Sequence, residues 1–199
     1  VPADASVPAP SAPTAFDVAL ALSGGGLAGG VAAAGRALGA KLRVVGVSAA
    51  NADVMLRSLE AGRPIEHPEV PTLAGALAGG IGMENRHTFD LVRRLVTAHE
   101  RVDERQIAQA MRYALERLHL RVEGGGAVAL AAVLARSPAL ADAPGERSTE
   151  TSPRPLVVVL SGGNVDGAVI ARLMNEPDFS PPDLSPPDPE APDLSAPAR

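Results

Sequence analysis

The chain has 199 residues, enough for one ordinary domain, with 46% hydrophobic but only 2% aromatic residues. It has no cysteine, which excludes a disulfide framework, thiolate metal sites and cysteine catalysis. The net charge of -5 belongs to the last stretch, residues 176–199, with six acids and one arginine; the neutral body before it offers no basic patch for nucleic acid.

Alanine, valine, leucine and glycine must build the core, with Phe16, Phe89 and Tyr113 as its few large pieces. Residues 1–15 are a Pro/Ala/Ser stretch expected to be disordered. They show neither the basic region nor the apolar core of a secretory signal. The longest apolar stretch, 18–34, contains five glycines and alternates strand with turn, so no membrane span is expected. A cytoplasmic location is compatible with the missing cysteine.

In chain order the pattern is β-α-β-α. Residues 17–22 read as a buried strand and 26–38 as a helix. Residues 42–47 read as a second strand, and Asn51 as the cap of a helix running to about residue 61. A proline-interrupted loop follows, then a short apolar turn or helix over 72–78. Phe89, Val92, Leu95 and Val96 stand at helical spacing over 88–96, and 98–102 is a short strand. Asp103 caps a helix through Leu118, and 124–136 is an alanine-rich helix. A polar loop covers 137–155, followed by a strand at 156–160 and a helix at 165–174. The segment 175–199 repeats Pro-Asp (Pro177-Asp178-Phe179, Pro182-Asp183-Leu184, Pro192-Asp193-Leu194) and reads as an extended acidic tail. The core thus occupies 16–174 as an α/β domain with a mainly parallel sheet and helices on both faces.

Two glycine-rich turns carry the chemistry: Ser23-Gly24-Gly25-Gly26-Leu27 and Ser161-Gly162-Gly163-Asn164. Each follows an apolar strand and opens a helix, an arrangement that offers main-chain amides and a positive helix end to an anion. A plain βα turn is the alternative reading. The sole lysine, Lys41, lies just before a strand, far in sequence from both turns, and reads as a surface residue. His67, His87, His99 and His119 show no metal-ligand spacing. Ser137 and Ser161 have no His/Asp partners in the pattern. Glu123 either faces a ligand or favours the helix end that begins at Gly124. Glu84, Arg86 and His87 read as a polar loop, with a substrate- or interface-facing cluster as the alternative.

Five segments in order resemble the serine/threonine dehydratase family of fold-type II pyridoxal-phosphate enzymes. They are the run from Ser23 to Val31, Val44-Val45-Gly46-Val47, Thr72-Leu73-Ala74 followed by Gly80-Ile81-Gly82, Val122-Glu123-Gly124-Gly125-Gly126-Ala127, and Ser161-Gly162-Gly163-Asn164-Val165-Asp166. The run Gly79-Gly80-Ile81-Gly82-Met83-Glu84-Asn85-Arg86-His87-Thr88-Phe89 further resembles the hydroxyectoine utilisation dehydratase branch. The resemblance implies a tryptophan-synthase-beta-like α/β domain holding pyridoxal 5'-phosphate. Its phosphate would lie on the amides of Gly24, Gly25, Gly26 and Leu27, with Ser23 where the family has a glycine and Ser161 matching the hydroxyl that meets the pyridine nitrogen. Where some relatives place a Glu and an Asp around a divalent cation, this chain has Ser48 and Val54, so no metal site is expected despite Asp53 nearby.

In that family the lysine that binds the cofactor covalently lies upstream of the phosphate loop. The resemblance therefore implies the C-terminal part of a hydroxy-amino-acid ammonia-lyase, with an incomplete large domain, inactive alone. It implies a small amino-acid substrate in the intact relative. A homo-oligomer or a complementing N-terminal half is the implied partner; strands of the upstream region complete the sheet in the family, so an exposed sheet edge is expected here. A non-catalytic remnant and a small anion-binding module are the competing readings.

Overall fold

The computed structural model describes residues 15–141 and 154–175. The expected disorder of 1–15 falls outside them except for its last residue, and so does the acidic tail beyond Asn175.

Among the described residues, four parallel strands form one sheet in the order β3-β2-β1-β4: β1 (Phe16–Ala21), β2 (Leu42–Ala49), β3 (Ala98–Val102) and β4 (Leu156–Val158). The register pairs Val18 with Val44 and Ala19 with Val45 across β1 and β2, and Asp17 with Leu156 across β1 and β4. Period-two alternation then sorts the strand side chains. Val18, Leu20 and Val44 go to one face with Leu22 just beyond β1, while Ala21, Val45, Val47 and Ala49 go to the other. The first face is covered by α1 (Gly26–Ala37), α2 (Val54–Glu60) and α3 (Thr88–Leu95), through Ala28, Ala32, Met55, Leu56, Phe89 and Val92. The second is covered by α4 (Glu104–Arg117) and α5 (Gly124–Leu134), with α6 (Gly167–Asn175) adding Leu173. The expected parallel α/β sheet with helices on both faces is what the chain forms. Small side chains let its layers approach: Gly46 leaves room for Leu22, whose Cδ2 would lie 2.7 Å from a Cβ there.

The element ends have local causes. Asp103 caps α4 as expected: its carboxylate accepts the Gln106 amide at 2.8 Å and the Gln106 side chain accepts the Asp103 amide at 2.8 Å. Asn51, in contrast, does not cap α2. Its amide donates to Pro71 O at 2.8 Å, and the residue before the helix is Asp53. The helix α5 stops at Leu134, short of the expected 136, because Arg136 turns left-handed at φ 54. The last helix starts at Gly167, where Asp166 Oδ1 accepts the Ala168 amide. The last strand is three residues long rather than five.

Two ion clusters brace the sheet. Buried Arg43 donates to Asp17 at 3.0 Å and to Ala141 O at 3.0 Å, and Arg154 lies 3.1 Å from the other Asp17 oxygen. Buried Asp53 accepts from Arg57 at 2.6 Å and Arg101 at 2.7 Å, and Arg101 also reaches Glu60. No described helix is long and apolar enough to cross a membrane.

Candidate functional site

In a parallel sheet with flanking helices, ligands lie beyond the carboxyl ends of the strands. There β1 leads through Leu22 into the Ser23 turn, and β4 leads through Val159 and Leu160 into the Ser161 turn. Because β1 and β4 are parallel neighbours, both turns emerge at the same end. They line one cavity of about 230 Å³ with Ser23, Gly24, Gly25, Gly26 and Leu27 on one side and Ser161 on another. The structure thus brings together all six residues selected from the sequence. It adds Ala76, Leu77, Glu123 and Gly125 to the same wall.

The three glycines of the first turn do different things. Gly25 is left-handed at φ 84, and a Cβ there would lie 2.7 Å from Val92 Cγ2 and 2.9 Å from Met55 Cε, so packing demands glycine. Gly24 and Gly26 face nothing within 4 Å. No protein atom requires them to be bare, yet both border the cavity. Among the described residues the amides of Gly24, Gly26 and Leu27 donate to no protein acceptor, and α1 has no side-chain cap. These are the free donors of a helix start, with the positive end of α1 behind them. A phosphate fits this cradle, since Gly24 and Gly26 leave open space where they border the cavity.

Ser23 does not aim its proton at the cavity. Its Oγ donates to Leu77 O at 2.8 Å, so toward a ligand it can only accept. The 72–77 loop that supplies this carbonyl is pinned by Glu104, whose carboxylate accepts Thr72 Oγ1 at 2.6 Å and the Leu73 amide at 2.7 Å. Glu104 went unnoticed in the sequence, where its first-turn position in α4 is what any helix start favours.

Glu123 follows neither sequence reading alone. It is the residue before α5 but makes no side-chain cap; its Oε2 accepts the Asn164 amide at 3.1 Å while the residue lines the cavity. Beside it lies a second hollow of about 390 Å³, lined by Thr72, Met111, Asn164, Asp166 and others. Lys41 is remote. Phe16 pairs with Leu42, so Lys41 precedes the amino end of β2, about 16 Å of strand from the turns, and its side chain is exposed. Glu84 and Arg86 are also exposed, 3.6 Å apart and away from the cavity wall. His99 is shifted below its usual range by burial and then by the charge of Arg101; it sits on β3 and does not border the cavity. Asp53, next to Val54 in the chain, already holds two guanidinium groups.

A parallel sheet flanked by helices, with open main-chain amides where its first strand turns into α1, defines an α/β protein with room for an anion at its strand ends. The chain belongs to the family described as pyridoxal-phosphate dependent enzyme, which matches residues 9–162. Pyridoxal 5'-phosphate is therefore the cofactor this fold is organised around. The chain is 37% identical over 159 residues to an L-threonine ammonia-lyase of Geobacter sulfurreducens (strain ATCC 51573 / DSM 12127 / PCA), covering 80% of this chain and 36% of the relative. It is 34% identical over 159 residues to that of Thermotoga maritima (strain ATCC 43589 / DSM 3109 / JCM 10099 / NBRC 100826 / MSB8), with 80% and 36% covered. The solved structure of maize serine racemase superposes with a TM-score of 0.63 at 33% identity, over 80% of this chain and 46% of that one. The chain spans well under half the length of either ammonia-lyase.

Proposed function

We propose that this chain forms the phosphate- and ring-binding part of a pyridoxal-phosphate dependent ammonia-lyase acting on hydroxy amino acids such as threonine or serine. The observation that carries the reading is the pair of open glycines, Gly24 and Gly26, whose amides border the same cavity as Ser161. The bound cofactor would act as the electron sink for loss of the α-proton and the β-hydroxyl. The amides of Gly24, Gly25, Gly26 and Leu27 would hold its phosphate. The Ser161 hydroxyl would meet the ring nitrogen, and a neutral hydroxyl leaves that nitrogen unprotonated, which suits departure of a good β leaving group. Ser23 would border the phosphate as an acceptor only.

The one lysine, Lys41, lies at the far end of the sheet from the cradle. We take the domain to span 16–174, working as the C-terminal part of a cytoplasmic enzyme and turning over nothing by itself. Its partner in catalysis would be a complementing N-terminal half. The outer edge of β4 supports that arrangement, since Leu156 and Val157 are 38% and 46% exposed. The 79–89 run supports placement near the hydroxyectoine utilisation branch.

Titration with pyridoxal 5'-phosphate against ATP tests the reading. Preference for pyridoxal phosphate, with no 2-oxo acid released from threonine or serine by this chain alone, is the expected result. Preference for ATP would replace the assignment with a small anion-binding module.

A further inference from the structure

The start of α5 packs against and hydrogen-bonds the Ser161 turn. Gly162 is left-handed at φ 77, and a Cβ there would overlap the Glu123 carboxylate. A Cβ on Gly126 would overlap the Ser161 carbonyl oxygen. The Glu123 amide donates to Gly162 O at 3.3 Å, and Glu123 Oε2 accepts the Asn164 amide at 3.1 Å. Asn164 is exposed, and this carboxylate is the only acceptor its amide has among the described residues. The same helix start touches the other turn. A Cβ on Gly124 would overlap Leu73 O, in the 72–77 loop whose Leu77 carbonyl takes the Ser23 hydroxyl. The first residues of α5 thus join both walls of the cavity.

From this geometry we infer that Glu123 is a positioning residue. Its carboxylate clamps the turn from Gly162 to Asn164 and so fixes Ser161 relative to the glycine cradle. The inference rests on the cofactor reading for what Ser161 meets, but the clamp is a property of the protein by itself. It differs from a role through the helix dipole. A dipole partner needs only a negative charge near the first turn of α5. A clamp needs an acceptor at the length of a glutamate side chain, and the charge is secondary.

Three variants separate the two. Glu123→Gln keeps the length and an acceptor oxygen without the charge. Glu123→Asp keeps the charge, and a residue suited to a helix start, without the length. Glu123→Ala removes both. Each is read by amide exchange at Asn164 in the cofactor-free chain and by equilibrium dialysis with pyridoxal 5'-phosphate. We expect the Asp and Ala variants to lose the protection of the Asn164 amide and to bind pyridoxal phosphate about tenfold more weakly, as for a lost hydrogen bond. Gln should retain protection and bind within about threefold of the unsubstituted chain. Glu123→Asp should add little once Ser161→Ala is present, because the effect runs through Ser161.

Unchanged Asn164 exchange in the Asp variant would overturn the clamp, as would a Gln variant no better than Asp. Additivity with Ser161→Ala would show that Glu123 acts elsewhere. If the unsubstituted chain takes up no pyridoxal phosphate, the cofactor reading falls and the ring-nitrogen role with it, whatever the exchange data say about the clamp.

Discussion

The hydroxyl of Ser23 donates to the carbonyl of Leu77 at 2.8 Å, tying the first residue of the glycine turn to a loop 54 positions later in the chain. This bond makes the serine a structural part of the cradle wall. Ser23→Ala should lower stability by about 1 kcal/mol, the net worth of a neutral hydrogen bond. Urea unfolding measures it. Affinity for pyridoxal phosphate should fall less than about threefold, because the proton is already committed. A loss of a hundredfold would mean that Ser23 donates to the phosphate.

The neighbouring glycines should divide cleanly. Gly25→Ala must adopt a left-handed backbone and push into Val92 and Met55. A cost of about 2–4 kcal/mol combines the strain with the overlap. Gly26→Ala has open space and a helical position, so its stability should hold or rise by about 0.5 kcal/mol. Its pyridoxal phosphate binding should nevertheless weaken, since the methyl enters the cradle. Thermal melts beside ligand titrations separate the two effects; tight binding by Gly26→Ala would remove the phosphate from this turn.

Asp53 supplies a pH dependence. Burial raises its carboxyl, but the hydrogen bonds from Arg101 and Arg57 outweigh that and hold it below the ordinary 3.8. A carboxyl depressed in the folded state contributes stability that is fully present above its unfolded value. That stability is lost as pH falls through the lower folded value. The chain should therefore lose stability below about pH 4, and Asp53→Asn should flatten that part of the profile. At neutral pH the same substitution should cost about 2 kcal/mol, since two guanidinium groups lose a charged acceptor. An acid profile identical in the variant would assign the sensitivity to other carboxylates.

Among the described residues β4 is an edge strand of the sheet, and Leu156 and Val157 on it are more than a third exposed. Exposed apolar edges invite pairing with another chain. The purified chain should self-associate, and Val157→Lys should shift it toward monomer in analytical ultracentrifugation. A cooperative, monomeric melt of the unsubstituted chain would argue that this edge needs no cover.

Sequence alone determined the elements and where anion chemistry could lie. The apolar run from Asp17 to Leu22 marks a strand, Asp103 marks a helix start, and two serine-led glycine turns mark strand ends, because these signals are local and span only a few residues. It also named six of the residues that border the cavity, through the likeness of the two turns to known ones. Only the tertiary structure decided what each does. The acceptor for Ser23 is a backbone carbonyl at Leu77, and the donor to Glu123 is a backbone amide at Asn164, 41 positions on. Backbone groups are the same at every residue, so no letter in the sequence marks these partners. They are chosen when parallel pairing of β1 with β4 brings two distant turns to one end of the sheet, and the start of α5 packs between them.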